Sequence, residues 1–213
     1  MKNSNAQSPK SKVTGRPAPT LDFGLWTRDF RLFSVNNARQ IQNLALIGFM
    51  GTGKSSVGRL VADTLHFTFL DTDELIEASA GKSITDIFAQ QGEAAFREME
   101  RKLIAELATR HGIVISTGGG LPANPANLAS LKSHAMVVCL WASPETIFEH
   151  VRGQPHRPLL KAPDPMARIR ALLTAREPFY RQADVLVNTE RRSIREVAQQ
   201  ILHQFRSATA AHT

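Results

Sequence analysis

A single cysteine, Cys139, leaves no partner for an internal disulfide, and its place in the apolar run Met136 to Trp141 reads as a buried thiol in a reducing cytosol. No run reaches the ~18 consecutive apolar residues of a membrane span, the longest candidate surrounding Leu44 to Met50. The first 40 residues lack an apolar stretch followed by a small-residue cleavage site, which excludes a secretory signal. They also hold little acid. Asp22 and Asp29 stand against seven Lys and Arg, a net of +5 out of the formal +7, leaving +2 for everything that follows. A nucleic-acid enzyme needs basic residues concentrated on its folded face, so this distribution argues against nucleic acid as a partner.

Arginine is too sparse among residues 1–20 for a transit peptide, and Ser, Asn, Pro and Lys dominate there. Residues 1–40 therefore read as a disordered basic extension and 41–213 as a single folded domain. Within the extension, Phe23 to Phe33 has the apolar residues to dock on the domain or on a partner.

From Gln42 onward short apolar runs alternate with helical stretches, the pattern of βαβ units and a parallel sheet. The strands expected are Leu44 to Ile47, Phe67 to Leu70, Ile113 to Ser116, Ala135 to Leu140 and Asp184 to Val187, enough for a doubly wound α/β sheet. Phe96, Met99, Leu103 and Leu107 recur along one helical face, with a break at Gln91-Gly92 separating a shorter helix that begins near Ser83. Helices are also expected near Pro144 to Val151 and from about Ser193 to Phe205. Between them residues 152–165, dense in Pro, Arg and His, read as a mobile surface loop.

Gly48-Phe-Met-Gly51-Thr52-Gly53-Lys54-Ser55 fits G-x-x-x-x-G-K-[ST], after an apolar strand and before a helix. Glycines permit a turn whose N–H groups converge on an anion, and the helix N-terminus adds partial positive charge. Gly51, Thr52, Gly53, Lys54, Ser55 and Ser56 form the expected ATP-contacting set. Lys54 would bridge the β- and γ-phosphates, and Ser55 would offer its hydroxyl to Mg²⁺. Asp71, the acid ending the second strand, is the metal-side candidate, acting through water. Its alternative is an N-cap forming a capping box with Glu74.

Taken in order, the P-loop, Asp71-Thr-Asp73, Phe96-Arg97, Gly118-Gly-Gly120, Arg157-Pro-Leu-Leu160 and Arg176-x-x-x-Tyr180 resemble the shikimate kinase family over roughly residues 41 to 206. The resemblance implies a P-loop NTPase of the nucleoside-monophosphate-kinase-like type, a five-stranded parallel sheet with helices on both faces and a mobile lid. It implies transfer of the γ-phosphoryl group of ATP to the 3-hydroxyl of shikimate, with Mg²⁺, on the way to aromatic amino acids, by a cytoplasmic monomer. Arg97 and Arg176 would grip the substrate carboxylate, as two planar guanidinium groups can. Asp73 would orient the attacking hydroxyl and take its proton. Gly118, Gly119 and Gly120 would let backbone approach the ring. Arg157 would close over the phosphates from the lid, with Lys54 and Asp73 completing the catalytic set, and Arg192 would contact adenine.

Each of these residues has a plainer reading. Glu93 and Arg97 have the spacing of a helix surface pair, Arg176 suits a helix end, and three glycines can be only a turn. A gluconate kinase would share the P-loop and lid without requiring this arginine pair. A nucleoside monophosphate kinase would need a base pocket that the sequence does not reveal. From another class, a nucleotide-binding regulatory module without catalysis would not need Lys54, Ser55, Asp71, Asp73 and Arg157 together.

Overall fold

The computed structural model describes residues 31–32, 39–152 and 163–210. Its strands are β1 (Arg31–Leu32), β2 (Asn43–Gly48), β3 (Thr68–Asp71), β4 (Ile113–Ser116), β5 (Ala135–Trp141) and β6 (Val185–Asn188), in the order β1-β6-β5-β2-β4-β3. The five from β2 to β6 are parallel, as the alternating pattern required. A sixth was not expected: β1 pairs antiparallel with β6, Arg31 opposite Leu186 and Leu32 opposite Val185. Two residues are too few to leave a period-2 signature.

Strand side chains alternate between two cores. Ala45, Ile47, Val137 and Cys139 face one side, and Leu44, Leu46, Met136, Val138 and Leu140 face the other. Helices α1 (Lys54–Leu65) and α7 (Ile194–Ala210) cover the second core through Val57, Val61, Ile201 and Phe205. The first core is closed by α3 (Ile84–Leu107), α4 (Pro125–His134), α5 (Pro144–Val151) and α6 (Pro165–Tyr180), through Ile104, Leu128, Ile147 and Ile169. Helix α2 (Thr72–Ala80) packs on α3 in a smaller cluster of Ile76, Ile87 and Phe96. Each fully buried aliphatic side chain stabilises this arrangement by about 1.5–3 kcal/mol before entropy is subtracted.

Side-chain caps set the helix starts. Asp71, Ser83, Asn124, Ser143 and Asp164 each accept a backbone N–H of the helix that follows, each worth roughly 1 kcal/mol. Gly92, at φ 80 and ψ 173, breaks α3 where the sequence placed a break. Helix α4 is an addition, begun by Asn124-Pro125.

At the N-terminal ends of the strands, Asn43 joins three segments. Its Oδ1 accepts from Ile113 N at 3.1 Å, and its Nδ2 donates to Arg110 O at 2.7 Å and lies 3.0 Å from His134 Nδ1. Nearby the buried Asp184 carboxylate accepts from Arg39 at 2.6 Å and from Val137 N at 2.8 Å, tying the chain before β2 to the start of β6. The opposite ends of the strands are left for chemistry. Successive strands leave β2 in opposite directions, β4 with β3 to one side and β5 with β6 to the other. Crevices open at the carboxyl ends of strands at such a reversal.

Candidate active site

The loop from Gly48 to Gly53 lies in that crevice. Gly48, Gly51 and Gly53 have φ of 134, 77 and 88, values that side-chain-bearing residues seldom adopt. Gly48 is needed twice over, since a β-carbon there would stand 2.2 Å from Leu140 O. Thr52 and Lys54 both donate to Phe49 O, at 2.8 and 2.9 Å, and the Lys54 side chain spans the loop it belongs to, only 9% exposed.

A cleft of about 450 Å³ opens over this loop. It is lined by Gly51, Gly53, Lys54, Ser55, Ser56, Asp71, Asp73, Gly118 and Gly119, and also by Ser116, Thr117 and His150. A larger groove, about 610 Å³, runs between α2 and α3 past Leu75, Ile76, Met99 and Leu103. It lacks a turn of converging N–H groups, so the phosphate chemistry belongs to the smaller cleft.

Ser55 Oγ donates to Asp71 Oδ2 at 2.9 Å and lies 3.4 Å from Ser116 Oγ. These are hard oxygen donors, of the kind that suit a small divalent cation shared with phosphates. Asp71 Oδ1 accepts from Asp73 N at 3.1 Å, so the same side chain caps α2. The capping box with Glu74 does not form: the Asp71 bond goes to the second helical position rather than the third, and the exposed Glu74 turns to Arg59 at 3.1 Å.

Across the cleft the Gly118–Gly120 turn is wedged among functional groups. A β-carbon on Gly118 would meet Asp73 Oδ1 at 2.5 Å, and one on Gly120 would meet Arg97 Nη1 at 3.0 Å. On Gly119 it would meet Arg176 Nη1 and Gly48 O, both at 3.4 Å. The turn thus lies beside both the P-loop and the two arginines, which α3 and α6 deliver from 79 positions apart in the chain. Arg176 also lies over the Phe49 ring, 5.4 Å from its centroid.

Arg97 does form the surface pair with Glu93, at 2.8 Å. On its other side it donates to Glu100 at 2.8 Å, a carboxylate only 1% exposed. Burial raises the Glu100 pKa and the nearby Asp73 adds to it, against the pull of Arg97 and Arg176. Arg97 loses hydration by burial, yet its two carboxylate partners raise its pKa above the ordinary value, so it stays cationic.

Sequence reasoning gave no role to Glu100, Thr72, Ser116, Thr117, His150 or the Tyr180 hydroxyl. Glu100 had a signal: it falls four residues after Phe96, a charge on the apolar stripe. His150 Nδ1 lies 2.8 Å from Gly51 O, and a carbonyl can only accept, so that nitrogen carries the proton. Thr72 Oγ1 accepts from Gly118 N at 2.9 Å. Arg192 donates to Gln200 at 2.7 Å and is not among the residues lining the cleft. Arg157 and most of the expected lid, 153–162, lie outside the described residues. Cys139 is buried, which pushes its thiol up to about 12.

A glycine loop at the reversal point of a doubly wound parallel sheet, joined by Lys54, Ser55 and the Asp71 carboxylate at the end of β3, two strands away, defines a P-loop phosphotransferase domain. A family model described as shikimate kinase matches residues 50–206. The shikimate kinase of Caldanaerobacter subterraneus subsp. tengcongensis is 43% identical over 165 residues, 78% of this chain and 96% of that protein. A solved shikimate kinase from Acinetobacter baumannii, in complex with shikimate, is 35% identical with a TM-score of 0.75, covering 82% of this chain and 98% of that one. A gluconokinase from Sinorhizobium meliloti shares the fold alone, at 18% identity and a TM-score of 0.54 over 81% of this chain and 96% of its own. The chain belongs to the shikimate kinase family.

Proposed function

We propose that this protein transfers the γ-phosphoryl group of ATP to the 3-hydroxyl of shikimate. The observation that carries this reading is the Gly118–Gly120 turn, which gathers Asp73, Arg97, Arg176 and the P-loop backbone around three consecutive glycines. A phosphate site and a pair of arginines suited to a carboxylate then lie close together, as transfer between two bound substrates requires.

On the donor side, loop N–H groups and Lys54 hold the phosphates, with Gly51, Thr52, Gly53, Ser55 and Ser56 around them. The Ser55 hydroxyl, with Asp71 acting through water, would hold Mg²⁺, which would supply charge neutralisation on the phosphate oxygens. On the acceptor side Arg97 and Arg176 bind the carboxylate, and the buried Glu100 fixes the Arg97 guanidinium. Asp73, beside Gly118, orients the attacking hydroxyl and takes its proton. Arg157 acts from the lid on the transferring group, and Arg192 contributes on the adenine side. The protein works as a cytoplasmic monomer whose catalytic domain, residues 41–213, is joined by Arg31–Leu32 at the sheet edge and by Arg39, and the basic extension 1–40 supplies no catalytic group.

The test is a charge-conserving one. Arg97→Lys and Arg176→Lys keep the cation but lose the planar two-donor face, so kcat/KM for shikimate should fall on the order of 30-fold. ATP affinity measured without shikimate should stay within about twofold. Lys variants with wild-type efficiency, or an equal loss of ATP affinity, would remove the clamp from the account.

A further inference from the structure

The last turn of α6 brings a second group to the glycine turn. Tyr180, only 2% exposed, donates its hydroxyl to Gly119 O at 2.7 Å. Arg176, one turn earlier on the same helix, lies close enough for its charge to act on the Tyr180 hydroxyl, and its Nη1 would stand 3.4 Å from a β-carbon on Gly119. A phenol has one proton to give, and here it goes to the Gly119 carbonyl. Burial drives the Tyr180 pKa up and the charge of Arg176 does not bring it back, so the hydroxyl remains a donor at any working pH.

The peptide joining Gly119 and Gly120 is trans, so its N–H points opposite to its C=O. Holding Gly119 O toward α6 therefore fixes the direction of the Gly120 N–H as well. Glycine has the most backbone freedom to lose, and a three-glycine turn keeps one orientation only if something outside it holds it. Thr72 holds the Gly118 end and Tyr180 holds the Gly119 carbonyl.

We propose that Tyr180 is a positioning residue for the acceptor: its hydroxyl holds the Gly119 peptide, beside which the Arg176 guanidinium lies, in one arrangement and so sets the affinity for the carboxylate substrate. Tyr180 does not line the cleft over the P-loop, and its effect is confined to the acceptor. This inference rests on the reading of Gly119 and Arg176 as shikimate-binding groups.

Tyr180→Phe keeps the ring in the core and removes only the hydroxyl. The expected result is a KM for shikimate raised about tenfold, with KM for ATP within twofold and kcat changed less than KM. A tyrosine that served packing alone would lower Tm and leave the shikimate KM unchanged, and that outcome overturns the proposal. A double-mutant cycle with Arg176→Lys gives an independent reading. Coupling predicts that Arg176→Lys loses less efficiency when Tyr180→Phe is already present than in the wild type, and additive losses refute it. If Tyr180→Phe does not fold, Tyr180→Met, which adds no bulk and no donor, enters the same cycle under the same criteria. The wild-type arm separates the two levels of the argument. Wild-type activity on shikimate with an indifferent Tyr180→Phe defeats this inference alone, whereas a wild type inactive on shikimate defeats the functional reading and this inference with it.

Discussion

The guanidinium of Arg97 rests against Gly120, so closely that a β-carbon there would stand 3.0 Å from Nη1 and 3.1 Å from Nη2. Gly120 has φ −94 and ψ −15, a conformation open to any residue, so its lack of a side chain serves the arginine rather than the backbone. Gly120→Ala should therefore fold normally and displace Arg97, lowering kcat/KM for shikimate about tenfold while leaving ATP affinity unchanged. Steady-state kinetics with each substrate varied in turn would reveal this. An unaltered kcat/KM would mean that Arg97 is not held in register by the turn.

Asp71 caps α2 and bonds Ser55, on the side where the proposed reading puts the metal, and one substitution separates the cap from that proposed role. Asp71→Asn keeps an oxygen for Asp73 N–H, so Tm should stay within about 2 °C. Loss of the charge beside Ser55 should raise the Mg²⁺ concentration needed for half-maximal activity about tenfold. A magnesium titration that superimposes on the wild type would leave Asp71 with the cap alone.

Gly58 on α1 sets two effects against each other. Alanine in a helix interior is favoured over glycine by about 1 kcal/mol. Here its methyl would stand 2.6 Å from Phe69 Cε2 and 3.1 Å from Leu46 Cδ1, and overpacking of this kind costs about 1–3 kcal/mol. Gly58→Ala should thus lower Tm by several degrees, with Phe69→Leu restoring part of the loss. A raised Tm would show that the helix lifts off the sheet more easily than this packing implies.

Acid should loosen the base of the sheet through His134. Burial depresses its pKa, and His111 and Arg39 add to the effect. Asn43 is oriented by Ile113 N–H so that its amide N–H donates to His134 Nδ1, a bond that requires the neutral ring. Because the folded pKa lies below the unfolded one, the unfolded chain gains the proton first as pH falls, and stability present above about pH 6.5 is lost below it. Thermal melts at pH 7.5 and 5.5 should show a larger drop for the wild type than for His134→Gln. Equal drops would assign the acid sensitivity elsewhere.

The parts legible in the sequence were those written locally. The P-loop is contiguous, and the strand Ile113 to Ser116 has the boundaries that its apolar run suggested. Gly92 broke α3 where glycine stood in a helical pattern. Helix α4 left no clear apolar stripe because its buried face carries Asn127 and His134 beside Leu128 and Leu131, and its start is marked only by Asn124-Pro125. The contacts between remote positions were the least readable. Tyr180 meets Gly119 across 61 residues and Arg39 meets Asp184 across 145, and neither pair has a spacing that a helix or strand imposes. Glu100 lies between these cases, because a charge on an apolar stripe asks for a buried partner and Arg97 stands three residues before it.

The most direct test of the account is an ADP-release assay on the purified wild-type chain with ATP and Mg²⁺, comparing shikimate with gluconate at equal concentrations. Both acceptors carry a carboxylate and hydroxyls, so only a site shaped to the cyclic acceptor separates them. The account predicts ADP release that depends on shikimate, with kcat/KM at least about 100-fold above that for gluconate. Equal turnover of the two, or ADP release indifferent to shikimate, would contradict it.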